Sequence, residues 1–239
     1  GGFLTRRLCG KARRGSMQAA CDRGSNAVHA GASSENQENQ PVISSTDRFQ
    51  RAIDRFDAAN AEDPNEDLVN GVAQPRELVY ACRMTARLDR YRPDAPEPVR
   101  LAARCQHIRR WTSPRADYPD GRDGYRQWRT ELARFHASTA AAILRDVGYD
   151  DAVVARVESL LRKEQLKAAP DVQLLEDVIC LVFLAHCLAD FVSKHDDDTL
   201  LGVLAKTWRK MSDEGRRAAL ALELPAAQRA LVERAVTSR

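Results

Sequence analysis

Between Pro170 and about Lys194 lies the stretch that most constrains how this chain can fold. Val178, Ile179, Leu181, Val182, Phe183 and Leu184, wound at about 3.6 residues per turn, cover nearly the whole circumference of a helix. A helix apolar on all sides is buried on all sides, so other elements must surround it. Pro170 and Asp171 suit its first turn.

The rest of the chain predicts those surrounding elements, and they read as helices. Thr46 or Asp47 can cap a first helix with Phe49, Ile53 and Phe56 on one face, broken at Asp63-Pro64-Asn65. A second helix runs from near Pro75 to about Arg90, and a third from Val99 to about Trp111. After a loop with Pro114, Pro119, Gly121 and Gly124, a fourth runs from about Tyr125 to Asp146 and stops at Gly148. A fifth starts at Asp150 and reaches about Leu166, and shorter ones cover Leu200–Met211, Asp213–Leu222 and Pro225 onward. No period-two strand and no solenoid repeat stand out. The expectation is all-α: a single multi-helix domain over residues 46–239, with no apolar run long enough to cross a bilayer and so no membrane partner.

Residues 1–45 are rich in Gly, Ala, Ser, Asn and Gln and lack apolar periodicity. Such a segment cannot bury enough surface to offset its chain entropy, so a disordered leader is expected. Its early basic residues resemble an organelle transit peptide. Met17 as the true start, a fragment, and an artificial Gly15-Ser16-Met17 junction are competing readings. The expected location is the cytoplasm, or a plastid or mitochondrion if the leader is a targeting signal. The leader holds six basic and three acidic groups, which leaves 31 of each from the chain totals of 37 and 34. A neutral domain argues against sequence-blind nucleic-acid binding, which depends on neutralising many phosphates. Cys9, Cys21, Cys82, Cys105, Cys180 and Cys187 form no C-x-x-C pair. Neither a zinc ribbon nor a disulfide framework is expected.

Three residues stand out as an inward polar set. Asp177 shares a stripe with Leu174, Leu181, Leu184 and Leu188, and His136 shares one with Leu132, Ala140, Ile143 and Val147. An inward carboxylate needs a base, a metal or hydrogen-bond donors. His107 is placed near the end of the third helix. His107, His136 and Asp177 converging in a bundle would suit one divalent metal. Glu176 or Glu77 would then act as proton acceptor. Near them, arginines alternate with aromatic residues. Arg109, Arg110 and Arg126, with Trp111 as an aromatic wall, are candidates to orient a small anionic ligand, because guanidinium pairs with phosphate or carboxylate in bidentate fashion. No Gly-rich phosphate loop, nucleophile elbow or HExxH occurs.

The stretches RELVYACRMTARL from Arg76, RLAARCQHIRRWTSPRADYP from Arg100, GYRQWRTELARFHA from Gly124, LEDVICLVFLAHCLADF from Leu175 and KTWRKMSDEGRRAALAL from Lys206 resemble the domain-of-unknown-function 4202 family. The resemblance runs from about Phe49 to Leu224. A weaker one is to the all-helical, metal-dependent phosphohydrolases named for a His-Asp dyad. It implies an HD-like bundle in which His107 takes the dyad histidine's place, His136 an auxiliary one and Asp177 that of the distal aspartate. The dyad aspartate is replaced by Ile108, and Glu77 or Tyr80 stands where a first histidine would fall. These readings imply a metal-dependent hydrolase or lyase for a small phosphorylated substrate. The alternative is a non-catalytic module that keeps the fold and binds a ligand or protein without metal. RNA binding through the arginine-aromatic loop ranks third.

Overall fold

The computed structural model describes residues 44–166 and 168–237. The expected leader therefore lies almost wholly outside the described residues. Ser44 caps α1 (Ser45–Asn60), its Oγ accepting from the Asp47 amide at 3.1 Å. The cap thus falls two residues before the expected Thr46, because Ser44 has the extended backbone that an N-cap requires.

A two-stranded antiparallel hairpin follows, β1 (Glu66–Val69) and β2 (Val72–Pro75), where no strand was expected. Its turn is Asn70-Gly71 with φ of 52° and 80°. Positive φ at both central residues is what a tight hairpin demands, and Asn-Gly meets it. The hairpin delivers the chain to α2 (Arg76–Tyr91). Pro75 offers no capping side chain, and Asp63 substitutes for one. Its carboxylate accepts from the Asn65 amide at 2.9 Å and from the Glu77 amide at 3.0 Å.

The third helix, α3 (Glu97–Arg104), ends well short of Trp111. Arg109 turns the chain in a left-handed conformation, φ 51°, and short 3-10 turns lead on. α4 (Gly121–Asp146) begins one turn earlier than its pattern suggests. A Cβ on Gly124 would lie 1.9 Å from the Pro119 carbonyl oxygen, so only glycine admits this close approach. α5 (Asp151–Arg162) stops at Lys163, which is left-handed with φ 56°.

The apolar helix spans Pro170–Val192 but is not uniform. It comprises α6 (Pro170–Val182), a π turn (Phe183–Cys187) and α7 (Leu188–Val192), with the Leu188 amide donating back to the Phe183 carbonyl. An 18-residue window within these 23 residues has a mean hydropathy of 1.9, so by length and composition the helix could cross a bilayer. This corrects the expectation that no run is long enough: charged Glu176 and Asp177 interrupt the pattern and lower its average, but not below what a span needs. More than half of the apolar window is buried inside the domain. Val178 and Val182 join a core built from α1 to α5, whereas Leu181, Leu184 and Leu188 join a second core with α8 (Asp197–Lys210), α9 (Asp213–Leu220) and α10 (Ala226–Thr237). One helix therefore organises both halves of an all-α domain.

Candidate functional site

His107 lies in the turn after α3, not within a helix. The turn is held from both sides. Ile108 is fully buried, and the Arg109 amide donates to Oδ1 of buried Asn60 at 3.1 Å. The reversal brings Arg110 back over His107, where Arg110 Nη1 donates to His107 Nε2 at 3.0 Å. A nitrogen that accepts carries no proton, so the hydrogen sits on Nδ1. That atom is 3.3 Å from Glu77 Oε2. Tyr80 stacks on the imidazole at a centroid distance of 4.0 Å and donates its hydroxyl hydrogen to Gln106 Oε1 at 3.0 Å. Burial and the neighbouring Arg110 hold His107 well below the usual imidazole range, so it is neutral.

Glu77 shows the opposite effect. It is 7% exposed, and its Oε2 finds no well-formed hydrogen bond among the described residues. Burial raises its carboxyl to about 7, against a partial lowering by Arg110. Arg110 Nε is 4.0 Å from Oε1, too far for a hydrogen bond. Glu77 therefore exchanges a proton near neutrality.

His136, on α4, lies beside His107 with ring centroids 5.8 Å apart. Burial first, then Arg110 and Arg129, lower it to about 3, and its buried Nε2 has no partner among the described residues. The two neutral rings face a cavity of about 450 Å³ whose walls include Arg110, Arg129 and Lys163. Arg110 also lies over the Trp128 ring, 5.1 Å from its centroid. Arg129 makes no hydrogen bond or ion pair among the described residues. Its one marked contact is the Trp128 ring at 6.0 Å. Glu164 also lines this wall, 3.7 Å from Arg162. A second space of about 280 Å³ shares His107, Arg110, Arg129 and Lys163, and has an apolar side of Ile179 and Phe183. A third, of about 380 Å³, brings in Glu77 and Arg83. His107 and Arg110 are common to all three.

The other expected site residues are placed elsewhere. Asp177 is 2% exposed and points inward. Its carboxylate accepts from Ser212 N at 2.8 Å, Gln173 Nε2 at 3.0 Å, Tyr91 OH at 3.3 Å and, at short range, Ser212 Oγ. Asp177 thus fastens α6 to the start of α9, and a Cβ on Gly215 would come within 2.6 Å of its carboxylate. Glu176, 1% exposed, accepts from Lys163 Nζ at 2.5 Å and has Lys210 Nζ at 3.5 Å. Burial opposes its charge, but the two ammonium groups win and hold its carboxyl below the usual range. It is a counter-charge to Lys163 and a weak base. Arg109 turns away to grip Glu62 with both oxygens at 2.8 Å. Arg126 is exposed near Asp123 at 3.8 Å, and Trp111 sits in a 3-10 turn off the cavity wall. Of the three candidate anion arginines, only Arg110 lines the cavity. Arg129 and Lys163 join it instead. Arg129 lies seven residues before His136, two helical turns along the same stripe, and that spacing could have revealed it.

A divalent ion held by His107, His136 and Asp177 does not fit this donor set. His107 Nε2 is engaged by a cation, and all of Asp177's partners lie at the α9 junction. Among the described residues no three His, Cys, Asp or Glu side chains form a group that could hold a metal. Ile108, which the resemblance to the dyad enzymes would set in the aspartate's place, is wholly buried and offers no side-chain ligand atom. Comparison with curated proteins and with solved structures gives no match. A family model, domain of unknown function DUF4202, matches residues 50–232. That span takes in α2, the His107 turn, α4 and the apolar helix, and the chain belongs to this family.

Proposed function

We propose that the cavity at His107 binds a small phosphorylated or otherwise anionic organic ligand, and that Glu77 carries the proton in a hydrolase- or lyase-type reaction on it. The observation that carries this reading is Arg129. A half-buried guanidinium with no ion-pair partner among the described residues sits on a cavity wall beside Arg110 and Lys163. The acids on these walls are engaged elsewhere, Glu164 by Arg162 and Glu176 by Lys163 and Lys210, so the Arg129 charge is left unmatched and an anion relieves it. The histidines add no positive charge, since both are neutral. The adjoining apolar side at Ile179 and Phe183 suits the non-phosphate part of the ligand.

The chemistry rests on Glu77. A carboxyl near 7 is divided between its two forms at neutral pH, which is where general acid–base transfer is most effective. His107 presents Nδ1–H toward it, fixed in that tautomer by Arg110. A non-catalytic binding module is the second reading. It is favoured by His107, whose Nε2 is engaged by Arg110 and whose Nδ1 faces Glu77.

Calorimetric titration of the full chain with inorganic phosphate and with a chromogenic phosphomonoester tests the binding. Arg129→Ala should weaken it about tenfold or more, the worth of one charge-assisted hydrogen bond, while Arg109→Ala should leave it unchanged. Equal loss from both variants, or no binding, would refute the site. Turnover abolished by Glu77→Gln with binding intact favours the enzyme. Binding without turnover favours the module.

A further inference from the structure

A second basic groove lies further along α2, next to the third space and sharing Arg83 and His186 with it. Arg83, Arg87 and Arg90 follow each other on one face of this helix, and with His186 of the π turn they wall a cavity of about 270 Å³ whose remaining lining is Cys82 and Ala86. No acid lines it. Arg83 reaches Asp67 at 3.4 Å, but Arg87 and Arg90 make no ion pair or hydrogen bond among the described residues. A row of arginines on a helix is most often a solvated face. Arg87 is not fully solvated: its Nε is buried and has no acceptor among the described residues. A buried guanidinium N–H without an acceptor is costly, and a bound anion would remove that cost.

We infer that this groove is a second anion site, selective for an extended oligophosphate over a single phosphate. Three charges spread over seven residue steps span about 10 Å along the helix, which suits an anion carrying several phosphoryl groups. The groove is too small for a nucleic-acid duplex, and residues 46–239 carry no excess charge to attract one. His186 supplies a local reporter. Burial and then Arg83, Arg87 and Arg90 lower its affinity for a proton. A bound anion offsets those charges, so the imidazole must become more basic.

The site does not depend on the reading of the His107 cavity. The test uses the full chain carrying Arg129→Ala, which weakens the first cavity, and titrates it with sodium tripolyphosphate. Tripolyphosphate should bind at least tenfold tighter than orthophosphate. Adding Arg87→Gln and Arg90→Gln should reduce that affinity at least tenfold, with the circular dichroism of the fold retained. By NMR, the His186 ring should titrate at higher pH when tripolyphosphate is present, and this response should vanish in the Arg87→Gln/Arg90→Gln chain. Unchanged affinity in that chain, an unmoved His186, orthophosphate binding as tightly, or a single-stranded RNA oligonucleotide binding more tightly than tripolyphosphate would each overturn the proposal.

Discussion

Glu77→Gln should make the protein more stable at neutral and alkaline pH, and the size of the effect follows from the carboxyl's surroundings. The side chain is 7% exposed and titrates near 7, against 4.5 for a glutamate in water. At about 1.4 kcal/mol for each tenfold change in proton affinity, that difference amounts to about 3 kcal/mol. The sign is set by which state holds the proton. In the unfolded chain Glu77 ionises around 4.5, whereas the folded chain keeps its proton until about 7. The folded state therefore binds more protons between these values, and stability falls as pH rises through the window. Glutamine does not titrate. Urea unfolding of both chains at several pH values should give a difference that is constant below pH 4.5. It should then shift by about 3 kcal/mol in favour of Glu77→Gln up to pH 7, and be level above. Reading the change with pH removes any fixed steric effect of the amide. A difference that stays flat from pH 4.5 to 8 would show that Glu77 ionises normally, and would take the proton-transfer role with it.

The remaining predictions concern the α6–α9 junction at Asp177 and the histidines of the cavity. Asp177→Ala should cost about 3 kcal/mol or more, because it leaves Ser212, Gln173 and Tyr91 without their acceptor. Gly215→Ala should also destabilise, since its Cβ meets the Asp177 carboxylate, and thermal unfolding reads both. His136 titrates at about 3 when folded and at 6.5 when solvated in the unfolded chain, so it withdraws stability as pH falls from 6.5 toward 3. His136→Phe should remove up to about 4–5 kcal/mol of that acid sensitivity in urea unfolding. Elemental analysis of protein purified without chelator should find no stoichiometric Mn, Fe, Co, Ni or Zn. One equivalent of metal lost with His107→Ala would mean that Arg110 leaves Nε2 and the donor set rearranges.

Periodicity was informative wherever a residue's fate depends on direction alone. The stripe through Leu174, Leu181 and Leu188 places Asp177 inward, and the stripe through Leu132 and Ala140 does the same for His136. Direction does not reveal what meets the side chain. Asp177 meets a serine that caps a helix 35 residues on, a pairing that only the tertiary fold creates. The end of α3 was hidden for a different reason. Arg109 takes a left-handed conformation that usually signals glycine, and its amide is stabilised by distant Asn60. Once the chain turns there, Arg109 leaves the site and Arg110 enters it. The hairpin, by contrast, was legible in Asn70-Gly71, but its four-residue strands are too short to show alternation.

The π turn at Phe183–Cys187 acts as a phase shifter. One extra residue in a helical turn rotates everything beyond it by about 100° relative to what precedes it. Before the turn, Val178 and Val182 face the first core while Leu181 faces the second. Within and beyond it, Leu184 and Leu188 stay on the second, and His186 and Cys187 of the turn itself reach the cavity walls beside α2. Removing a single residue here would let the helix run on smoothly, with its far half facing the wrong neighbours. The local backbone would be more regular, and the walls of both proposed anion sites would lose their shared side. The irregular turn thus ties the fold of the carboxy-terminal helices to the shape of the space at His107.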